Sequence, residues 1–161
     1  MNDTDQTLSA KVAVGAQASN EPEAQVRWTL LFAAWLVALV ASLGALFIGE
    51  VMGQTPCVLC WYQRAFMFPL AIVLAVGAFR SDGASWFFAL PLAIIGGAIA
   101  GYHSLLYAGL LTEALEPCGQ GPSCTDAAMT IFGGVPLPFL SFAAFLAIAA
   151  LLSLTIRTRT P

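Results

Sequence analysis

Four apolar runs, at about Trp28–Ile48, Trp61–Phe79, Trp86–Tyr107 and Pro138–Ile156, restrict this chain more than any other feature of it. Each is close to the ~20 residues that carry an α-helix across the hydrocarbon core of a bilayer. A soluble fold of 161 residues has no interior large enough for four such helices, since 59% of the residues are hydrophobic and only 9% are charged. Trp28, Trp61 and Trp86 stand at run ends, where an amphipathic indole favours the membrane interface. The expected fold is an all-α integral membrane protein, a four-helix transmembrane bundle over residues 27–157 with outer loops at 49–60 and 108–137. Pro69 and Pro91 fall inside the second and third spans, where kinks are expected.

Charge sets the orientation. Lys11 and Arg27 precede the first span, Arg80 lies in the tight Arg80–Ser85 turn, and Arg157 and Arg159 follow the fourth. The two longer loops hold no Lys or Arg and carry Glu50, Glu113, Glu116 and Asp126 instead. Short cytoplasmic segments are the ones enriched in Lys and Arg, which puts both termini and the short turn in the cytoplasm. Residues 1–26 are polar, begin with Asp3 and Asp5, and lack the basic start and cleavage site of a signal peptide. They read as a disordered cytoplasmic tail. Six scattered basic residues and a net charge of -3 exclude a nucleic-acid surface and leave membrane lipid as the surrounding partner.

With the longer loops outward, all four cysteines face a compartment in which disulfides persist. Cys57-Val-Leu-Cys60 opens the second span just after Pro56, a residue suited to a first helical turn. Sulfurs there lie at the positive end of the helix dipole, which favours thiolate. At about 100° per residue, Cys57, Cys60 and Arg64 fall within roughly 60° of one another around the helix. Arg64 sits one turn inside the span, where a charge is costly and a partner is expected. The bland alternative has Arg64 snorkelling to headgroups beside an inert clip, although a clip across two residues constrains the unfolded chain little.

Cys118 and Cys124 occupy Pro117-Cys-Gly-Gln-Gly-Pro-Ser-Cys124, a turn-rich loop segment in which a disulfide closes easily and another protein's thiolate can attack it. A plain loop staple is the alternative. No metal is expected, because the four cysteines lack a second Cys-x-x-Cys. Taken together, one helix-anchored pair beside an arginine and one loop pair favour a thiol–disulfide relay over two clips. Gly97 and Gly101 form a Gly-x-x-x-Gly face suited to close helix packing.

In this order on four spans, Pro-Cys-Val-Leu-Cys with Arg64 four residues on, Tyr102-His103, the second pair and Val135-Pro-Leu-Pro-Phe-Leu-Ser141 resemble the DsbB family of disulfide bond formation proteins. The resemblance covers roughly Trp28 to Arg157, and the five residues between Cys118 and Cys124 are similar to its short-loop, BdbC-like branch. It implies a quinone-dependent protein-disulfide oxidoreductase of the bacterial cytoplasmic (inner) membrane. Such a protein reoxidises a DsbA-like thioredoxin-fold oxidase on the extracytoplasmic side and passes the electrons to the quinone pool, ubiquinone or menaquinone. It further implies that Cys57 and Cys60 are the quinone-coupled pair, with Cys60 contacting the quinone and Arg64 polarising it. Cys118 and Cys124 would meet the partner, and His103 would hydrogen-bond a quinone oxygen or supply a proton. Two rival readings are a quinone reductase resembling vitamin K epoxide reductases, in which the Cys-x-x-Cys falls late in the chain, and a structural membrane protein whose disulfides only clip loops.

Overall fold

The computed structural model describes residues 3–81, 84–111, 130–131 and 134–158. Its helices are α1 (Asp3–Leu46), α2 (Val58–Phe79), α3 (Trp86–Tyr107) and α4 (Leu137–Arg157), and all four are long and apolar enough to cross a membrane. A π-helical turn, Phe47–Val51, follows α1. A short antiparallel ladder, β1 (Thr130–Ile131) against β2 (Val135–Pro136), pairs Thr130 with Pro136 and leads into α4. The protein is thus an all-α, multi-pass membrane protein. Pro69 and Pro91 lie within α2 and α3, which each continue through them as one helix.

The principal interfaces, α1 with α2, α2 with α3, α3 with α4 and α4 with α1, close a ring in chain order. Cross-helix contacts fix the directions. Trp28 Nε1 donates to the carbonyl of Ala78 at 3.1 Å, while Arg64 Nη2 reaches back to Ala45, so α1 and α2 run antiparallel. Gln63 meets His103 across α2 and α3, and Gly96 and Gly101 face Phe145 and Phe142 across α3 and α4. Consequently the end of α1, the start of α2, the end of α3 and the start of α4 gather at one end of the bundle. Arg27, Arg80 and Arg157 lie toward the other.

The ring is drawn together by small residues rather than by apolar pressure, since lipid tails are as apolar as leucine. Ala34, Ala38, Ala89, Ala93 and Ala100 are buried between helices around Leu70, Leu74, Phe145, Ile148 and Leu152, whereas Leu43, Ile72, Phe79, Phe87 and Phe88 face outward. The tightest approach is at Gly96, where an added Cβ would overlap the ring of Phe145. Gly97 and Gly101 are looser, their added Cβ atoms lying 3.4 Å from Phe145 Cβ and 3.1 Å from Phe142 Cε2. The expected Gly-x-x-x-Gly face therefore packs on α4, but the neighbouring glycine makes the closest contact. The buried hydroxyls of Ser104 and Thr155 answer their own helices: Ser104 donates to the carbonyl of Ala100 at 2.8 Å and Thr155 to that of Leu151 at 2.9 Å.

The first residues differ from the sequence expectation, because α1 begins at Asp3 and runs through Pro22 where a disordered tail is expected. Nucleation is the costly step in helix formation, and a helix already held by a membrane span extends cheaply through good helix formers such as Ala16, Gln17, Ala18, Glu23 and Ala24. At about 1.5 Å per residue its 44 residues come to about 66 Å, roughly twice the hydrocarbon thickness.

Candidate active site

Cys57 is the N-cap of α2, and its extended backbone (φ -69, ψ 169) turns its sulfur onto the first turn, where it accepts from the backbone N–H of Cys60 at 3.4 Å. Caps are usually oxygen acceptors placed to meet the N–H two or three residues on. Here a thiol does that work, and the Cys-x-x-Cys spacing is what puts the second sulfur at the capped N–H. The two Sγ atoms stand 3.1 Å apart as free thiols. Cys57 is 1% exposed, whereas Cys60 opens onto a cavity.

The helix dipole does not dominate at Cys57. Its thiol hydrogen-bonds the neighbouring sulfur of Cys60 and is buried, and these effects push its pKa from 9.0 up to about 12 against the opposing pull of His103. Cys57 is thus held as a thiol.

His103, near the end of α3, is fully buried, with Nε2 3.9 Å from Cys57 Sγ. On its other side the amide nitrogen of Gln63 lies 2.9 Å from Nδ1. Gln63, only 6% exposed, is a site residue that the sequence reading misses. Its signal was available: a polar side chain one turn inside a span, three residues past Cys60, is a functional candidate wherever the surroundings are apolar. An amide offers a donor at one end and an acceptor at the other, so Gln63 can serve either tautomer of the imidazole.

Arg64 meets the end of α1. Nη2 donates to the carbonyl of Ala45 at 2.7 Å, and the guanidinium carbon lies 5.6 Å from the ring centroid of Trp61, within cation–π range. The guanidinium rests on the π-helical turn at Gly49, where an added Cβ would lie 3.2 Å from both Nη1 and Nη2. A π-helical turn commonly marks a functional site, and this one gives an otherwise costly charge its seat.

Arg64, Gln63, His103 and Cys60 line a cavity of about 610 Å³, whose remaining wall is apolar but for Ser141 and comes from α1, the π-helical turn, α2 and α4, including Val40, Phe68 and Leu140. A few convergent polar groups in an otherwise apolar cavity of this size are the usual form of a site for a small, mostly apolar molecule. The structure thus brings together Cys57, Cys60, Arg64 and His103. Cys118 and Cys124 lie outside the described residues.

The family described as "Disulfide bond formation protein DsbB" matches residues 26–155. A probable disulfide formation protein of Metapseudomonas resinovorans is 56% identical over 143 residues, which cover 88% of this chain and 99% of the relative. Disulfide bond formation protein C of Bacillus subtilis (strain 168) is 38% identical over 76% of this chain and 88% of its own length. Probable disulfide formation protein C 2 of Bacillus anthracis is 41% identical over 74% and 84%. No solved structure matches the chain at a comparable level.

Proposed function

Since the chain belongs to the DsbB family, and is thereby a membrane oxidoreductase of disulfide bond formation, we propose that it reoxidises a DsbA-like thioredoxin-fold dithiol and passes the electrons to a membrane quinone. The observation that carries this reading is the cavity: the less buried sulfur of the pair and a guanidinium held by Ala45 share the wall of one largely apolar chamber. The lining fits a quinone, whose ring suits the apolar wall and whose carbonyl oxygens need donors such as Arg64. A bound quinone supplies an acceptor for two electrons and two protons.

The partner's dithiol reduces Cys118–Cys124, and the loop pair in turn reduces Cys57–Cys60, each by thiolate attack on a disulfide through a mixed disulfide. Cys60, the sulfur on the cavity wall, would face a bound quinone as thiolate. Arg64, held by Ala45, stabilises negative charge on that sulfur and on the acceptor oxygen. Closing the disulfide releases two electrons, which a bound quinone would accept, and requires Cys57 to lose its proton as its sulfur bonds to that of Cys60. With the Gln63 amide turned so that its oxygen, in place of the nitrogen now 2.9 Å away, accepts from Nδ1–H, Nε2 of His103 carries a lone pair facing Cys57 and takes that proton.

The orientation follows the basic residues. Arg27, Arg80 and Arg157 lie toward the end of the bundle away from Cys57 and Cys60, which under the positive-inside rule is the cytoplasmic end of a bacterial inner-membrane protein. Both cysteine pairs then face the extracytoplasmic side.

The deciding experiment reduces the purified protein, adds a soluble quinone and follows loss of quinone absorbance. One equivalent should be consumed per Cys57–Cys60 pair in protein lacking the loop cysteines, and none in Cys60→Ser. Consumption that persists in Cys60→Ser, or its absence from the folded protein with the helix pair intact, would refute the assignment.

A further inference from the structure

Cys57, Cys60 and His103 offer two sulfurs and a ring nitrogen within 4.8 Å of one another. We propose that the reduced pair and His103 form a three-ligand site for a soft divalent cation, Zn²⁺ in the first instance, which the disulfide form cannot bind.

Tetrahedral zinc, with bonds of about 2.3 Å to sulfur and about 2.0 Å to imidazole nitrogen, keeps its ligand atoms about 3.5–3.8 Å apart. The Sγ–Sγ separation of 3.1 Å and the Sγ–Nε2 separation of 3.9 Å bracket that value, so shifts of under about 1 Å close the ligands on an ion. The supporting contacts also fit. A metal-bound imidazole generally hydrogen-bonds through its other nitrogen, and Gln63 already stands 2.9 Å from Nδ1, needing only its amide oxygen turned toward an Nδ1–H. Cys60 and His103 both line the cavity, which leaves the fourth coordination position on its open side.

Binding exchanges two thiol protons for one cation, with no change of oxidation state. While the ion is held, the two sulfurs serve as separate thiolate ligands, and forming the Sγ–Sγ bond requires releasing the ion. Oxidation withdraws both sulfur ligands at once, so the site exists in one redox state only. This inference does not depend on what fills the cavity during turnover.

The test uses the full-length protein in detergent with Cys118→Ser and Cys124→Ser, so that no loop thiol contributes. Reduced without oxygen and titrated with Co²⁺, it should develop the sulfur-to-metal charge-transfer and ligand-field bands of a tetrahedral site, saturating at one equivalent and reversed by Zn²⁺. The same sample with Cys57–Cys60 oxidised should give no such bands, a control that leaves every side chain in place. His103→Ala, shown folded by its unfolding temperature, should weaken Co²⁺ at least tenfold and change the ligand-field bands. A reduced sample without tetrahedral bands, bands that persist after oxidation, or bands and affinity unchanged in His103→Ala would each overturn the proposal.

Discussion

Replacing Gly49 by alanine tests whether the π-helical turn sets the position of Arg64. The new Cβ would lie 3.2 Å from both guanidinium nitrogens, inside ordinary van der Waals contact, so the guanidinium must withdraw by a few tenths of an ångström from a bond that now measures 2.7 Å to Ala45. A hydrogen bond to a charged group contributes about 1.5–3 kcal/mol, and weakening this one by roughly 1 kcal/mol corresponds to about a fivefold fall in kcat/KM for quinone. Removing the guanidinium altogether, in Arg64→Gln, should cost on the order of 10²–10³. The assay is quinone reduction driven by a reduced thioredoxin-fold dithiol at varied quinone concentration. Thermal stability should not fall in parallel, because alanine is favoured over glycine by up to about 1 kcal/mol in a helical turn. In an Arg64→Gln background Gly49→Ala should have no further kinetic effect. A full fivefold loss in that background, or unchanged kinetics in the single variant, would refute the account.

Three further outcomes are expected. Gly96→Ala should destabilise the bundle by about 1–3 kcal/mol in denaturant unfolding, through overlap with Phe145, while Gly44→Ala, with open space around it, should not. Cys57, with a pKa near 12, should be about one part in ten thousand thiolate at pH 8; Cys60→Ser removes the largest cause of that shift, so the midpoint of the Cys57 alkylation–pH profile should move down, and an unmoved midpoint would contradict this. Gln63→Glu should preserve His103 orientation through Nδ1–H and keep disulfide closure near its normal rate, whereas Gln63→Leu should remove that contact and slow closure in single-turnover quinone reduction; equal behaviour of the two would exclude a positioning role.

The spans were legible because a membrane helix is specified locally, by about twenty apolar residues with aromatic ends. The alignment of Cys57, Cys60 and Arg64 was legible for the same reason, since helical spacing alone puts them on one side of α2. Gln63 was not, because its significance depends on His103, 40 residues away, arriving through the antiparallel register of α2 and α3. Gly96 was hidden behind the more familiar Gly97–Gly101 spacing, for which glycine meets a large ring depends on how α4 is rotated to present Phe145. The dipole argument for thiolate at Cys57 omitted the second sulfur beside it, whose effect is larger. The seat of Arg64 rests on a π-helical turn, which no simple periodicity in the sequence announces.

The interface that closes the ring joins α1, made before α2 and α3, to α4, made after them, and the cavity takes its walls from both. A nascent chain that has inserted three helices already carries Cys57, Cys60 and His103, yet lacks Leu137, Pro138 and Ser141 from the cavity lining. The thiols therefore exist in the growing chain before the chamber beside them does. Newly made protein passes through an interval in which those thiols are less shielded than at any later time, and the arrival of α4 ends it.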